Sequence, residues 1–201
     1  NQLGYRASRH GIQEGDLNSK GGRQQLFKTL LESRPQHVWF SPTCGPWCAW
    51  SFLNESQSIA GFQHVQEQRE QHLYQLALGL VLYKFQCIHQ RHLHWEQPAR
   101  SLMLKTPYLY EVAQGTYKAN FDMCQVGGMR DPQNQKLFKK GMEIHTTSQQ
   151  LYLQFNGRKC NKQHDHQPLE GNTIHKGVSI RRTAFSENYT RKFARSLAQV
   201  L

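Results

Sequence analysis

The sequence has neither a membrane-spanning run nor a secretory leader. No apolar stretch approaches the roughly 20 residues that a bilayer span requires. Residues 1–5 lack the basic and then apolar pattern of a signal peptide. These absences predict a soluble protein that has no membrane partner and works inside the cell, the nucleus included. Because Asn1 is not an initiator methionine and the opening segment resembles the end of a helix, we also expect further sequence upstream.

Cysteines are few, and they do not form the pattern of a disulfide framework. There are five of them at irregular spacing: Cys44, Cys48, Cys87, Cys124 and Cys160. Secreted frameworks normally have an even number of cysteines in a shorter chain. We therefore expect free thiols and a reducing compartment.

Negative charge is scarce, and positive charge is concentrated in the C-terminal third. The formal charge is +11, and residues 130–201 hold 13 Lys and Arg against 5 Asp and Glu. Such an excess favours a polyanionic partner, because Lys and Arg that neutralise phosphates release counterions. A solvated surface that only aids solubility gives the same composition. Charge thus indicates DNA or another nucleic acid as the partner, with Lys159, Arg181 and Arg182 as candidate contacts.

Residues 1–120 show the alternation of helix and strand that is typical of a parallel α/β sheet. Helical spacing over residues 22–33 precedes a short apolar strand at residues 37–40, and a longer helical pattern over residues 66–90 precedes a second strand at residues 92–95. A proline follows each strand, at Pro42 and Pro98, and ends it. We expect a Rossmann-like, mostly parallel sheet with flanking helices, and a core-facing stripe on the long helix formed by Leu73, Leu76, Ala77, Leu80, Val81, Phe85 and Ile88.

Beyond residue 120 the pattern becomes irregular. Residues 121–185 combine turn dipeptides such as Asn156-Gly157 with short apolar runs, which predicts a smaller strand-containing lobe. Residues 186–201 return to helical spacing, with Phe193 on the apolar face, and this helix is expected to cover the sheet.

Two reactive side chains lie at the predicted strand ends. Cys44 sits on a Pro- and Gly-containing loop after the first strand, where a thiol is accessible to a substrate. Glu96 ends the second strand, and the carboxyl ends of parallel strands are where open α/β sheets bind ligands. The simpler alternatives are an inert packing cysteine and a carboxylate that bonds nearby backbone amides.

The order of these motifs resembles the DNA cytosine-5 methyltransferases. The matching segments are Gly15-Asp16-Leu17, Ser41-Pro42-Thr43-Cys44 and Trp95-Glu96-Gln97-Pro98, with a weaker match in residues 128–133. The resemblance implies S-adenosylmethionine as cofactor, held by Asp16, Ser41 and Pro42. It implies Cys44 as the nucleophile that adds to cytosine and Glu96 as the carboxylate that holds the flipped base.

A rival interpretation keeps the fold without the reaction. The sequence shows no glycine-rich strand, turn and helix for the cofactor, so the apparent lack of that first strand favours a catalytically inactive nucleic-acid-binding module. Its Cys-Gly-Pro-Trp and Trp-Glu-Gln-Pro motifs also resemble reading frames of mobile elements. A third alternative is a hydrolase that pairs Cys44 with His94.

A candidate metal site lies in the second region. Cys160, His164 and His166 fall within seven residues, and Cys124 is the other cysteine of that region. Two thiolates and two imidazoles are the ligand set of a closed structural zinc site. A chance cluster in a chain with 11 histidines is the alternative. We predict that these four side chains converge on one zinc ion.

Overall fold

A computed structural model describes Ser8 and residues 16–201 of the chain. Asn1 and Gly15, on which two of the sequence expectations rest, lie outside the described residues. The chain divides into two compact units. Among the described residues, the first unit contains 16–96 and 100–116, and the second contains 97–99 and 117–201.

The first unit alternates helices and strands as the spacing predicts. Its elements are α1 (Lys20–Ser33), β1 (His37–Phe40), α2 (Ala49–Gln57), α3 (Ile59–Ile88), β2 (His92–Pro98) and α4 (Tyr110–Gln114), with 3₁₀ turns at Gly45–Trp47, Met103–Lys105 and Pro107–Leu109. Serine side chains cap the starts of α1 and α3, because Ser19 accepts from the Gly22 amide and Ser58 accepts from the Gly61 amide. α3 begins seven residues before the predicted start at Gln66, at the position that Ser58 sets.

β1 and β2 pair in parallel, in the register His37 opposite His92 and Phe40 opposite Trp95. The predicted strand at residues 37–40 is confirmed, and the second strand continues to Pro98. Parallel pairing brings the carboxyl ends of both strands to the same edge. The loops that follow them therefore start from one edge of the pair.

The face of α3 that packs into the core differs from the predicted stripe. Of the expected residues, Leu76 is buried and the partly buried Leu80 and Phe85 pack against the core, but Val81 and Ile88 are 47% and 78% exposed. The buried side of the second half of the helix instead consists of Leu76, Leu78, Gly79, Leu82, Tyr83 and Gln86. Gly79 explains why this side of α3 faces the core, because a Cβ there would overlap the indole ring of Trp95 and approach the ring of Phe40. The missing side chain lets the aromatic residues of both strands lie against the helix backbone.

The second unit contains short strands and short helices. Its elements are β3 (Tyr117–Asp122), α5 (Met123–Val126), β4 (Leu137–Phe138), β5 (Gly141–Thr146), α6 (Gln149–Phe155), β6 (His166–Gln167), β7 (Asn172–His175), β8 (Val178–Arg181), α7 (Arg182–Phe185) and α8 (Arg191–Ala198). β3 pairs with β5 antiparallel and β4 with β6 parallel, while β7 and β8 form an antiparallel hairpin. The protein is thus mixed α/β, and its strand pairs are both parallel and antiparallel rather than mostly parallel.

Three phenylalanines form the centre of the second unit. Phe193 of α8 stacks on Phe121 of β3 with ring centroids 6.0 Å apart and lies 5.5 Å from the ring of Phe155 in α6. All three side chains are fully buried. The C-terminal helix therefore packs on β3. Among residues 16–201, no helix combines the length and the apolar character needed to cross a bilayer.

The close approach at Gly79 gives a prediction about stability. Gly79→Ala should lower the free energy of unfolding by about 1–3 kcal/mol, because overpacking against Trp95 outweighs the gain in helix propensity. Gly21→Ala in α1 is the control, since no atom lies within 4 Å of the new Cβ. That variant should be neutral or slightly more stable. Denaturant unfolding followed by tryptophan fluorescence measures both, and equal effects would contradict the packing described.

Candidate functional sites

Cys44 and Glu96 both lie at the carboxyl edge of the β1–β2 pair. Glu96 directly follows Trp95, and Trp95 pairs with Phe40, the last residue of β1. Cys44 lies four residues after Phe40 in the chain. Glu96 is 7% exposed, whereas Cys44 is half-buried at the start of the 3₁₀ turn. The strand pairing thus places the start of the loop that holds Cys44 beside the Trp95–Glu96 segment, and Glu96 lies within β2 rather than at its end as the sequence predicts.

Side chains from α2 and α3 hold the backbone of the Cys44 loop, which comprises residues 41–48 between β1 and α2. The Gln75 side-chain oxygen accepts from the Thr43 amide at 3.1 Å, and the Ser51 hydroxyl donates to the Gly45 carbonyl at 2.5 Å. The backbone on both sides of Cys44 is therefore fixed from outside the loop. These two bonds hold the loop, and with it the Cys44 backbone, in one conformation.

Arg69 of α3 is the third support of this loop. Its Nε donates to the Pro46 carbonyl at 3.1 Å, and its guanidinium lies over the rings of Trp47 and Phe52 at 5.4 and 4.9 Å. Two further guanidinium nitrogens bond both carboxylate oxygens of Glu55, and both side chains are about one-seventh exposed. A bidentate, mostly buried pair of this kind is strong when intact and costly when one partner is removed.

No sequence signal identified these supports. Ser51, Glu55, Arg69 and Gln75 are spread over 25 positions on two helices, and charged residues in a long helix normally face solvent. The Cys-Gly-Pro-Trp motif marks only the loop itself. Only the packing of α2 on α3 brings these side chains together at the loop.

His94 does not fit the role that the hydrolase alternative gives it. It is fully buried, and its Nε2 lies 3.0 Å from Nδ1 of His37. Burial, together with the neighbouring His37 and His92, lowers the pKa of His94 to about 3. An imidazole with so low a pKa is a weak base at neutral pH. A Cys44–His94 pair therefore gains no support.

The three residues assigned to S-adenosylmethionine do not form a complete pocket. The Asp16 carboxylate is exposed and accepts from the Asn18 amide at 2.9 Å, and the Ser41 hydroxyl accepts from the Trp39 indole at 2.9 Å. Pro42 offers no donor. Residues 16–201 contain no glycine-rich turn between a strand and a helix. The described residues thus do not by themselves fit the cofactor.

The four predicted metal ligands converge in the second unit. Cys124, Cys160, His164 and His166 each offer one ligand atom, and these atoms all lie within 4.8 Å of one another. The Cys160 sulfur is 3.6 Å from Nε2 of His164 and 3.5 Å from Nε2 of His166, and the two Nε2 atoms are 3.0 Å apart. This group can hold a metal ion.

These distances can be compared with ideal zinc geometry. Bonds of about 2.3 Å to sulfur and 2.05 Å to nitrogen give tetrahedral edges of about 3.6 Å between sulfur and nitrogen and about 3.3 Å between two nitrogens. The sulfur–nitrogen separations match the first value, and the nitrogen pair is slightly closer than the second. Four protein ligands would leave no open position, which is typical of a structural site.

The backbone around Cys160 is arranged to support a thiolate. The Lys162 amide donates to the Cys160 sulfur at 3.3 Å, and the left-handed φ of 60° at Lys162 turns the chain back toward the cluster. Asp122, at the end of β3, accepts from the Cys160 amide at 2.8 Å. Since Cys124 lies two residues after Asp122, this bond fixes the spacing between the two cysteines.

Without an ion the cluster disfavours charge. Burial raises the pKa of the Cys124 thiol to about 11, and the adjacent Cys160 contributes to the same shift. Burial and then the neighbouring His164 lower the pKa of His166. A divalent cation reverses this preference for the thiols, because it stabilises thiolate ligands directly.

The three candidate nucleic-acid contacts have different environments. Arg181 is exposed at the end of β8, and Lys159 is half exposed with its Nζ 4.0 Å from Asp122. Arg182 is mostly buried, and its Nε donates to the Asp131 carboxylate at 2.6 Å. Its guanidinium also bonds the Glu170 carbonyl at 2.9 Å. Arg182 therefore stabilises the second unit, and Arg181 and Lys159 remain the candidate contacts.

No protein-family model matches the chain, and neither a curated protein nor a solved structure does.

The Arg69–Glu55 pair gives a second prediction. Arg69→Met should destabilise the first unit by about 3 kcal/mol, because the mostly buried Glu55 carboxylate loses its charged partner and keeps only the bond from the Gln66 amide. It should also speed the alkylation of Cys44 by iodoacetamide, since the loop loses a support. The double variant with Glu55→Gln should recover part of the stability.

Lys84→Met is the control for this experiment. It breaks an α3 ion pair with Glu111 in which both side chains are more than half exposed, so a change of at most about 0.5 kcal/mol is expected. If Arg69→Met behaved like Lys84→Met in chemical denaturation, Arg69 would not be a support of the loop.

Proposed function

We propose that this chain binds cytosine in nucleic acid and activates it by adding the Cys44 thiolate to C6 of the base, as in cytosine C5 methyl transfer. The observation that supports the proposal is the parallel β1–β2 register, because the loop with Cys44 follows Phe40 and Glu96 follows its partner Trp95. The Rossmann-like organisation and DNA as the substrate belong to the same proposal. The excess of basic residues supports a polyanionic substrate.

The two side chains have complementary roles in this step. The Cys44 sulfur forms a bond to C6, and the electron pair of the C5–C6 double bond moves toward C5 and N3. The Glu96 carboxyl group hydrogen-bonds N3 and the exocyclic amine, which relieves the charge that develops on the ring. C5 then takes a proton or another electrophile, and loss of the C5 proton with cleavage of the sulfur–C6 bond restores the base.

Methyl transfer would in addition require S-adenosylmethionine as the methyl donor. Because the described residues do not fit this cofactor by themselves, the role proposed for this chain is limited to binding and activating the base. The second candidate function is a catalytically inactive nucleic-acid-binding module. The same incomplete cofactor pocket favours it.

Exchange at C5 tests the activation step without any methyl donor. In D₂O, addition of Cys44 and its reversal should replace the C5 hydrogen of cytosine in an oligonucleotide with deuterium, and mass spectrometry detects the change. Cys44→Ser should abolish the exchange, since a hydroxyl is a much weaker nucleophile than a thiolate. Glu96→Gln should slow it by about 100-fold or more, as loss of an electrostatic stabiliser does.

Cys48→Ser is the matched control for the nucleophile. Cys48 is half-buried four residues later, directly before α2, with its sulfur 3.5 Å from the Ser51 hydroxyl. The control should keep the wild-type exchange rate. Oligonucleotide binding without exchange by the wild-type chain would support the inactive module and refute the activation step.

We also propose that the Cys124, Cys160, His164 and His166 cluster binds zinc in a structural role. The mixed sulfur and nitrogen ligand set favours Zn²⁺ over Mg²⁺ or Ca²⁺, which prefer oxygen ligands. The ion would join α5, the loop after α6 and β6, which all belong to the second unit.

Zinc binding gives a further prediction. The purified chain should contain one equivalent of zinc by elemental analysis. A chelator should lower the melting temperature of the second unit more than that of the first. Cys160→Ser and His164→Ala should each reduce the zinc content, whereas Cys87→Ser should not, because Cys87 is an exposed residue of α3. Tetrahedral absorption by the Co²⁺-substituted chain provides an independent measurement. Metal-free protein that does not take up Zn²⁺ would refute the site.

A further inference from the structure

The β7–β8 hairpin is held on one side only. On its inner face, the Thr173 hydroxyl donates to the buried Asp131 carboxylate at 2.9 Å, and the His175 ring lies 5.2 Å from that of Phe185. Arg182, directly after β8, bonds the same carboxylate, and its amide donates to the Gly171 carbonyl at 3.0 Å. Both ends of the hairpin are thus attached to the rest of the second unit.

The outer face of the hairpin is exposed. Because side chains alternate along a strand, Asn172 and Ile174 of β7 share this face with Ser179 and Arg181 of β8. The register puts Asn172 opposite Arg181 and Ile174 opposite Ser179. All four residues are exposed, including Ile174 at 52%, and the Asn172 amide donates to the Ser179 hydroxyl at 3.3 Å.

The tip of the hairpin adds a positive charge. Lys176 and Gly177 form a two-residue turn with φ values of 52° and 78°, the geometry that closes a tight hairpin. Residues 172–181 contain Lys176 and Arg181 but no acidic residue. The hairpin is therefore a positively charged two-stranded ribbon whose ends are attached to the second unit. Its charge complements a polyanion.

We propose that the outer face of the β7–β8 hairpin reads base edges in the major groove of duplex DNA. This inference rests on the proposed nucleic-acid function and names the form of nucleic acid and the residues that select its sequence. The major groove is wide enough for a two-stranded ribbon, and it shows a different donor and acceptor pattern for each base pair.

The chemistry of the four side chains suits this role. Arg181 can bond O6 and N7 of guanine together, and Asn172 can bond N6 and N7 of adenine. Ile174 offers an apolar contact for a thymine methyl group, and Ser179 both donates and accepts. Lys176 at the tip contacts a phosphate. Direct base contacts and a backbone contact are thus present on one short element.

The test is a selection of duplex oligonucleotides with a randomised central segment on the full chain. The wild-type chain should select a preferred sequence. Arg181→Ala and Asn172→Ala should each relax the preference at one position by about 5- to 150-fold, the discrimination of one bidentate contact. Both residues are exposed, so circular dichroism and melting temperature should stay unchanged.

Two matched variants distinguish base reading from simple charge. Lys176→Ala should weaken binding equally for all sequences and reduce the slope of log affinity against log salt by about 1. Arg195→Ala, an exposed arginine of α8, should leave the selected sequence unchanged. Overturning results would be no sequence preference in the wild-type chain, an unaltered preference in Asn172→Ala and Arg181→Ala, or tighter binding of single strands that the variants do not affect.

The outcome is separable from that of the activation step. A chain that exchanges C5 hydrogen but selects no duplex sequence refutes the role of the hairpin alone. A chain that selects a sequence but exchanges no hydrogen refutes the Cys44 chemistry and leaves the hairpin proposal standing.

Discussion

The packing of Trp95 against the backbone of α3 at Gly79 is the contact on which the first unit depends. It lets the aromatic residues of β1 and β2 lie directly on the helix, and so it determines which side of α3 faces the core. The same helix presents Arg69 and Gln75 to the Cys44 loop. One glycine therefore connects the packing of the core with the position of the candidate nucleophile.

Periodicity predicted the elements of the first unit but not the rotation of its longest helix. Apolar spacing and the positions of the prolines located both strands, because these signals are local properties of the chain. The core face of α3 was predicted only in part: Leu76, Leu80 and Phe85 contribute to the core, whereas Leu73, Val81 and Ile88 are exposed. A small residue that admits a bulky neighbour has no hydrophobic signal of its own.

The candidate sites were predictable where they depend on ligand chemistry and unpredictable where they depend on long-range partners. Two cysteines and two histidines were expected to meet, and they do. Arg182 was expected to face nucleic acid on the basis of its charge, yet its guanidinium pairs with Asp131, which is 51 positions away. The sequence gives the number of positively charged side chains, but burial decides which of these side chains can contact a ligand.

The positions of the metal ligands in the chain have a consequence for how the second unit folds. Cys160, His164 and His166 are local and can hold an ion in a short, unstructured segment, whereas Cys124 is separated from Cys160 by β4, β5 and α6. Recruiting Cys124 closes a long loop, and the entropic cost of closure grows only slowly with loop length. An ion captured early would thus act as a long-range cross-link. It would bring the end of β3 to the loop after α6 and narrow the unfolded ensemble before the apolar core assembles.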